Sequence, residues 1–281
     1  MSNLRDNQTD TGSLLVTKVQ CILIDIEGTT SAIQFVYDVL FPYARNQLNS
    51  FLKRNWKNQD VQDSITYLAK DLGFENLSQW SQANDRSSKK ALEVDHNSVG
   101  DSDRASDKLL EEHQKQLVEN EAVRLMDADI KSTGLKALQG LIWAEGYAEG
   151  TLTSHVFPDV PGALESWNKA QIDIRIFSSG SVNAQKVFFK NTEYGDLGKF
   201  ISNNYDTTTG AKREPQSYKS IAEDIGLEPE QILFLSDVEP ELDAAKQAGM
   251  KVALVVRPGN APADLDKFPV IESFEQIIVT R

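Results

Sequence analysis

The stretch that most constrains how this chain can fold is Gln20-Cys21-Ile22-Leu23-Ile24-Asp25-Ile26-Glu27-Gly28-Thr29-Thr30, an apolar, β-branched run that ends in two carboxylates one residue apart. Residues 20–24 suit a strand covered on both faces, as in a parallel sheet packed between helices. In open α/β sheets ligands bind outside the carboxyl ends of the strands, so the run delivers Asp25 to a place where chemistry occurs. Side-chain alternation would turn Asp25 and Glu27 to one side with Ile26 between them, and Gly28 lets the backbone turn sharply behind them. An isolated Asp-x-Glu-Gly more often marks a solvated strand end, and the rest of the chain has to decide.

Composition narrows the field. At 281 residues the chain exceeds the usual domain size of roughly 100–200 residues, so a core domain with a second unit is expected. A formal net charge of −13 without any Lys/Arg-rich run argues against nucleic acid or an anionic membrane as partner, because both are held by neutralising phosphates. No run approaches the ~20 apolar residues of a membrane span, and the polar start, Met1 to Gly12, lacks the apolar centre of a signal peptide. A soluble monomer in the cytoplasm is expected, with the nucleus compatible too. Cys21 is the only cysteine, which excludes a disulfide within the chain and reads as a small buried hydrophobe. His96, His113 and His155 show no zinc-like spacing, which leaves oxygen ligands and a hard cation as the more plausible metal chemistry.

Two kinds of pattern divide the chain. Residues 31–150 are rich in helix formers and lack a convincing strand, so they read as a helical insertion. Its apolar stripes are Phe35, Val39, Leu40, Tyr43, Leu48, Phe51 and Leu52, then Leu110, Leu117, Val123, Leu125, Met126 and Ile130, then Leu135, Leu138, Ile142 and Trp143. Ser81 to Asp107, dominated by Ser, Asp, Asn and Lys, reads as an exposed, flexible loop. After Pro158 and Pro161, strand-like runs at 172–177, 231–235 and 251–256 alternate with helical patterns at 162–170, 182–189, 215–225 and 240–249. That alternation predicts parallel βαβ construction: a Rossmann-like α/β core formed by residues 1–30 and 151–281, interrupted by an all-helical cap at 31–150 that sits over the first strand's carboxyl end.

Each later strand also ends in polar residues. Ser178-Ser179-Gly180-Ser181 is a hydroxyl-rich turn before a helix, suited to holding phosphate oxygens, with a plain helix cap at Ser181 as the simpler alternative. Lys212 lies just before a helix, where an ammonium could neutralise both a phosphate and an acidic nucleophile. Ser236-Asp237-Val238-Glu239-Pro240-Glu241 places a second acid at a strand tip, with Glu241 one helical turn behind it. Taken singly, these acids are what helix N-termini commonly carry. Two acidic tips, a hydroxyl tip and a lysine in that order make a phosphoryl-transfer set.

This ordered set resembles the haloacid dehalogenase-like phosphohydrolase superfamily from about Val19 to the C-terminus. Asp25-Ile26-Glu27-Gly28-Thr29 is similar to its first motif, Ser178 to the second, Lys212 to the third, and Asp237 with Glu241 to the fourth. Most phosphatases of the superfamily have aspartate where this chain has Glu27. That glutamate, with Phe41-Pro42-Tyr43, Ala184-Gln185-Lys186 and Val255-Val256-Arg257-Pro258-Gly259-Asn260, is similar to the methionine-salvage branch. The resemblance implies Mg²⁺ as cofactor and a small phosphorylated diketone as substrate, enolised and then dephosphorylated. It implies Asp25 as the nucleophile and Glu27 as general acid and base, with Asp25, Glu27 and Asp237 at the metal. Ser178, Ser179 and Lys212 would hold the phosphate, with Gly28, Thr29, Gly180 and Glu241 in support. Glu27 and a residue of the insertion are both open as the group that takes the carbon-bound proton. A phosphatase for another small metabolite, or a non-catalytic scaffold of this fold, are the competing expectations.

Overall fold

A computed structural model describes residues 15–89, 102–130 and 132–280. The polar start at Met1 to Gly12, together with Leu92, Val94, His96 and Val99, lies outside the described residues. The chain divides into two compact units, one running to Val36 and resuming at Thr153, the other spanning Tyr37–Leu152.

The first unit holds strands β1 (Leu15–Lys18) and β2 (Cys21–Ile24), then a single helical turn α1 (Ile33–Phe35). The second unit is helical: α2 (Phe41–Asn55), α3 (Gln59–Asp71), α4 (Leu77–Lys89), α5 (Ser102–Asp127) and α6 (Thr133–Ala148). The first unit then resumes with α7 (Asp159–Lys169), β3 (Asp173–Phe177), α8 (Val182–Lys190), β4 (Asn203–Tyr205) and α9 (Pro215–Ile225). It ends with β5 (Ile232–Ser236), α10 (Glu239–Gln247), β6 (Lys251–Val255), β7 (Val270–Ile271) and β8 (Ile277–Thr280).

Six strands form one parallel sheet in the order β4-β3-β2-β5-β6-β7, and β1 pairs with β8 in a separate ribbon. From the central β2 the chain builds outward through β3 and β4 on one side, then returns to build β5, β6 and β7 on the other. The order therefore reverses between β2 and β5, and in a doubly wound sheet that crevice is where ligands bind. Alternation along the strands fills two layers. Ile22, Ile24, Ile174, Ile176, Leu233 and Leu235 pack with Leu164 and Trp167 of α7 and Phe188 of α8. Cys21, Leu23, Phe234 and Leu254 pack with Tyr218 and Ile221 of α9 and Leu242 of α10. Each fully buried apolar side chain contributes about 1.5–3 kcal/mol. Burial among these neighbours, reinforced by Asp173, pushes the Cys21 thiol well above the ordinary cysteine range, so it stays protonated.

The helical unit packs around Leu48, Phe51, Val61, Ile65, Leu68, Trp80, Val118, Leu125, Leu138 and Ile142. Asn58 caps α3 by accepting from the Asp60 N–H (2.8 Å), and Ser132 caps α6 by accepting from the Leu135 N–H (3.1 Å). Gly134 lets α6 lie against α3, since a Cβ there would fall 2.2 Å from the Leu68 nitrogen.

Several expectations are corrected here. Phe35 packs on the sheet layer instead of in the helical core, and Leu110 and Ile130 are exposed. The stripe of α3, with Val61, Ile65 and Leu68 buried, escaped the sequence reading because polar residues alternate with it. Helix reaches Lys89 on one side and starts at Ser102 on the other, within the stretch expected to be an exposed loop; its middle, 90–101, lies outside the described residues. Strands β1, β4, β7 and β8 were not expected: they span two to four residues, too few for a periodic signal. Among the described residues no helix is long and apolar enough to cross a membrane.

Candidate active site

Asp25 is the first residue past β2 and belongs to the buried interior, its own N–H donating to the Leu235 carbonyl of β5 (2.9 Å). One carboxylate oxygen, Oδ1, accepts from Lys212 Nζ (2.7 Å) and from the Ile26 N–H (2.8 Å). The other, Oδ2, faces the Ser236 hydroxyl at 3.2 Å. Lys212 Nζ also meets Glu241 Oε2 at 2.7 Å, and Ser236 Oγ stands 3.2 Å from that same oxygen. Asp25, Lys212, Glu241 and Ser236 thus close a ring of polar contacts at the tips of β2 and β5. Burial would pull the Lys212 ammonium down, but the two carboxylates more than offset it and hold the group charged, above the usual lysine range. Burial and the neighbouring Asp25 push Glu241 up to about 7, with Lys212 opposing.

Glu27 lies on the other side of the crevice, where its Oε2 accepts from the Ser178 hydroxyl at the tip of β3 (3.0 Å). Burial, then repulsion from Asp25, raises its carboxyl above the usual glutamate range, against the opposing pull of Lys212. A carboxyl raised this way keeps its proton more readily than an ordinary glutamate and can then give it up, as a general acid requires. The Ser178–Ser181 turn opens α8: Ser178 Oγ accepts from the Gly180 N–H (3.3 Å), and Ser181 is the helix cap, accepting from the Ala184 N–H (3.3 Å). The cap that the simpler alternative expected is present at Ser181, and Ser179 beside it is exposed.

Asp237 follows β5 and lies against Gly28. Gly28 has φ +74°, and a Cβ there would fall 2.2 Å from Asp237 Oδ2, so both conformation and space demand glycine. Burial and then Asp25 push Asp237 up to about 7. Its Oδ1 is buried without a hydrogen-bond partner, as is Thr29 Oγ1. Buried oxygens left unpaired beside further carboxylates are costly. The same donor set is what a hard cation such as Mg²⁺ selects, so these residues fit that ion. Among the described residues no three His, Cys, Asp or Glu side chains already converge as a ligand group, so the protein would supply part of an octahedral shell, to be completed by carbonyl, water and phosphate oxygens.

Sequence reasoning assigned no role to three residues that shape this site. Ser236 was visible as a hydroxyl closing an apolar strand. Asn260 donates to the carbonyl of Gly28 (2.9 Å), and buried Arg257 to that of Thr29 (3.2 Å) while pairing with Asp159 (2.8 Å). Their separation from the first motif hid them. His155, isolated in sequence, accepts the Ala32 N–H at Nδ1 (3.2 Å).

The parallel sheet, its crevice and the ordered acid, hydroxyl and lysine tips define the haloacid dehalogenase-like hydrolases, whose sequence model matches residues 19–249, and the chain belongs to that family. Three similar proteins are called enolase-phosphatase E1. That of Persephonella marina is 42% identical over 92% of this chain and 98% of its own length. That of Anopheles gambiae is 40% identical over 93% of this chain and 83% of its own, and that of Drosophila melanogaster 40% over 91% of each. Among solved structures, the UTR4 protein of Saccharomyces cerevisiae is similar at 30% identity and a TM-score of 0.67, over 92% of this chain and 99% of that one.

Proposed function

We propose that this protein is an enolase-phosphatase: it enolises 2,3-diketo-5-methylthiopentyl-1-phosphate and removes its phosphate to give the acireductone of L-methionine salvage. The observation that carries the reading is Asp25 held at a strand tip with Lys212 at 2.7 Å, while Glu27, in place of the usual aspartate, stands on Ser178. Relatives at about 40% identity, matched over 83–98% of their own length, carry the same activity in their names.

In this reading Asp25 attacks phosphorus. Its Oδ2 is the freer oxygen, because Oδ1 already takes two short hydrogen bonds. The P–O ester bond breaks as the aspartyl-phosphate forms, and protonated Glu27 gives its proton to the departing enol oxygen. Glu27, now a carboxylate, takes a proton from the water that attacks the aspartyl-phosphate, which releases inorganic phosphate and restores Asp25. Lys212 stabilises charge on the transferred group, and Ser178 and Ser179 bind its oxygens. Glu241 and Ser236 keep Lys212 and Asp25 in register. Asp25, Glu27 and Asp237 would hold Mg²⁺, typical of the family, which when bound offsets the charge between nucleophile and phosphate.

A paired assay tests the reading: enol absorbance and released phosphate are followed together on the diketo phosphate, with Mg²⁺ present and then chelated. Enol formation coupled to Mg²⁺-dependent phosphate release is expected. Release from other phosphate esters but not from this one would keep the site and overturn the substrate.

A further inference from the structure

Gln185 sits on the first turn of α8 and is 2% exposed, an unusual place for an uncharged polar side chain. Helical side chains lean back towards the N-terminus, which carries this amide over the turn that precedes its own helix. There Nε2 donates to the carbonyl of Gly180 (2.7 Å) and to that of Tyr205 at the end of β4 (2.8 Å). Oε1 accepts from Asn204 Nδ2 (3.0 Å). The Tyr205 carbonyl also receives the Ser178 N–H (3.2 Å). One oxygen of β4 therefore fixes both ends of the Ser178–Gly180 turn, one end through the backbone and the other through Gln185. Asp206, the next residue, adds a third tie by accepting from the Val182 N–H (3.1 Å).

We propose that Gln185 is the positioning residue of the phosphate-holding turn, a role that rests on the phosphoryl-transfer reading above. Only a primary amide gives two N–H bonds to the two carbonyls while accepting a third bond at its oxygen. By holding down the Gly180 carbonyl it sets the Gly180 N–H on Ser178 Oγ, and that hydroxyl in turn orients Glu27. Asp25 and Asp237 follow β2 and β5 and make no hydrogen bond to this turn, so of the three residues assigned to the metal only Glu27 is reached through this amide.

The test compares wild type, Gln185→Met, Gln185→Glu and Asn204→Ala by the inhibition constant of inorganic phosphate, by KM against kcat, and by the rise in melting temperature on adding Mg²⁺. Gln185→Met leaves the Gly180 carbonyl unpaired and takes one of two donors from the Tyr205 carbonyl, and a phosphate Ki and KM raised about tenfold are expected, with the Mg²⁺-induced rise reduced less. Gln185→Glu, which sets a carboxylate against both carbonyls, is expected to exceed it. Asn204→Ala, which removes only the donor to Oε1, should raise the phosphate Ki about threefold and decides the matter if the Gln185 variants do not fold. An unchanged phosphate Ki in a folded variant, or equal loss of the phosphate and Mg²⁺ responses, would overturn the positioning role alone. A wild type that neither binds phosphate nor releases it from the diketo ester would overturn this inference together with the function on which it rests.

Discussion

The two ends of the six-stranded sheet are both polar but differ in kind. At the amino end, Gln20, Gln171 and Gln231, with Lys18, Val19 and Ile172, line a cavity of ≈ 430 Å³. Its amides are neutral and remain at least partly in contact with solvent, so no charge is taken out of water. At the carboxyl end Asp25, Lys212 and Glu241 are buried, and Glu27 and Asp237 half-buried beside them. Those charges persist only because they pair, and where pairing is incomplete their pKa values climb, as for Asp237 at about 7. A cavity lined by solvent-contacting amides marks one end and desolvated charge the other, and the second is the better guide to chemistry.

Substitution at the two ends should break that symmetry most sharply. Asp25→Asn removes the proposed nucleophile and is expected to lower phosphate release by about 10³-fold or more. Gln20→Ala at the opposite end should leave the rate within about twofold, since that side chain is exposed and surface changes of this kind are nearly neutral. Equal losses from both, measured as kcat/KM on the diketo phosphate, would end the distinction.

Lys212→Met is next in size, because it leaves Asp25 and Glu241 facing one another without their shared cation. Removing one partner of a buried pair costs about 3–5 kcal/mol, to be read from urea unfolding. Activity should fall with it by about 10²–10³-fold, as when one transition-state donor is removed. Gly28→Ala, which meets both a left-handed backbone and the Asp237 carboxylate, is expected to cost about 1–3 kcal/mol and to weaken Mg²⁺ binding by displacing Asp237. A melting curve and a Mg²⁺ titration of that variant check both effects.

The smallest effect is one of pH. Asp237 has its carboxyl raised in the folded state, so the stability tied to its protonated form is complete below the ordinary carboxylate value of about 4 and is lost as pH rises through about 7. Metal-free protein should therefore gain melting temperature from Asp237→Asn at pH 8 and little at pH 5. Mg²⁺ needs the ionised carboxylate, so wild-type affinity for the ion should weaken as pH falls below 7. A gain equal at both pH values would remove the electrostatic account of this end of the sheet.

Much of the fold was legible in the residues themselves. Helix α9 falls where its pattern placed it, and β2, β3, β5 and β6 lie within a residue or so of their expected spans, because long apolar runs bounded by Gly, Pro and acids leave few alternatives. Asp25, Glu27, Ser178, Lys212 and Asp237 could be named because each stands where an apolar run stops or a helix begins. Gln185, Arg257 and Asn260 fell within stretches similar to the methionine-salvage branch and Ser236 stood at a strand tip, but none could be given a role, because their meaning lies in carbonyls and carboxylates that folding brings to them. Residues 20–30 by themselves determined that a buried strand would bring an acid to its tip, since hydrophobic period and glycine act locally. Only the tertiary structure decided which oxygen of Asp25 meets Lys212, that Glu27 turns to Ser178 and not to the lysine, and that Gln185 ties the turn to β4. Hydrogen bonds of under about 3.5 Å are set by strand order and packing, which no local pattern encodes.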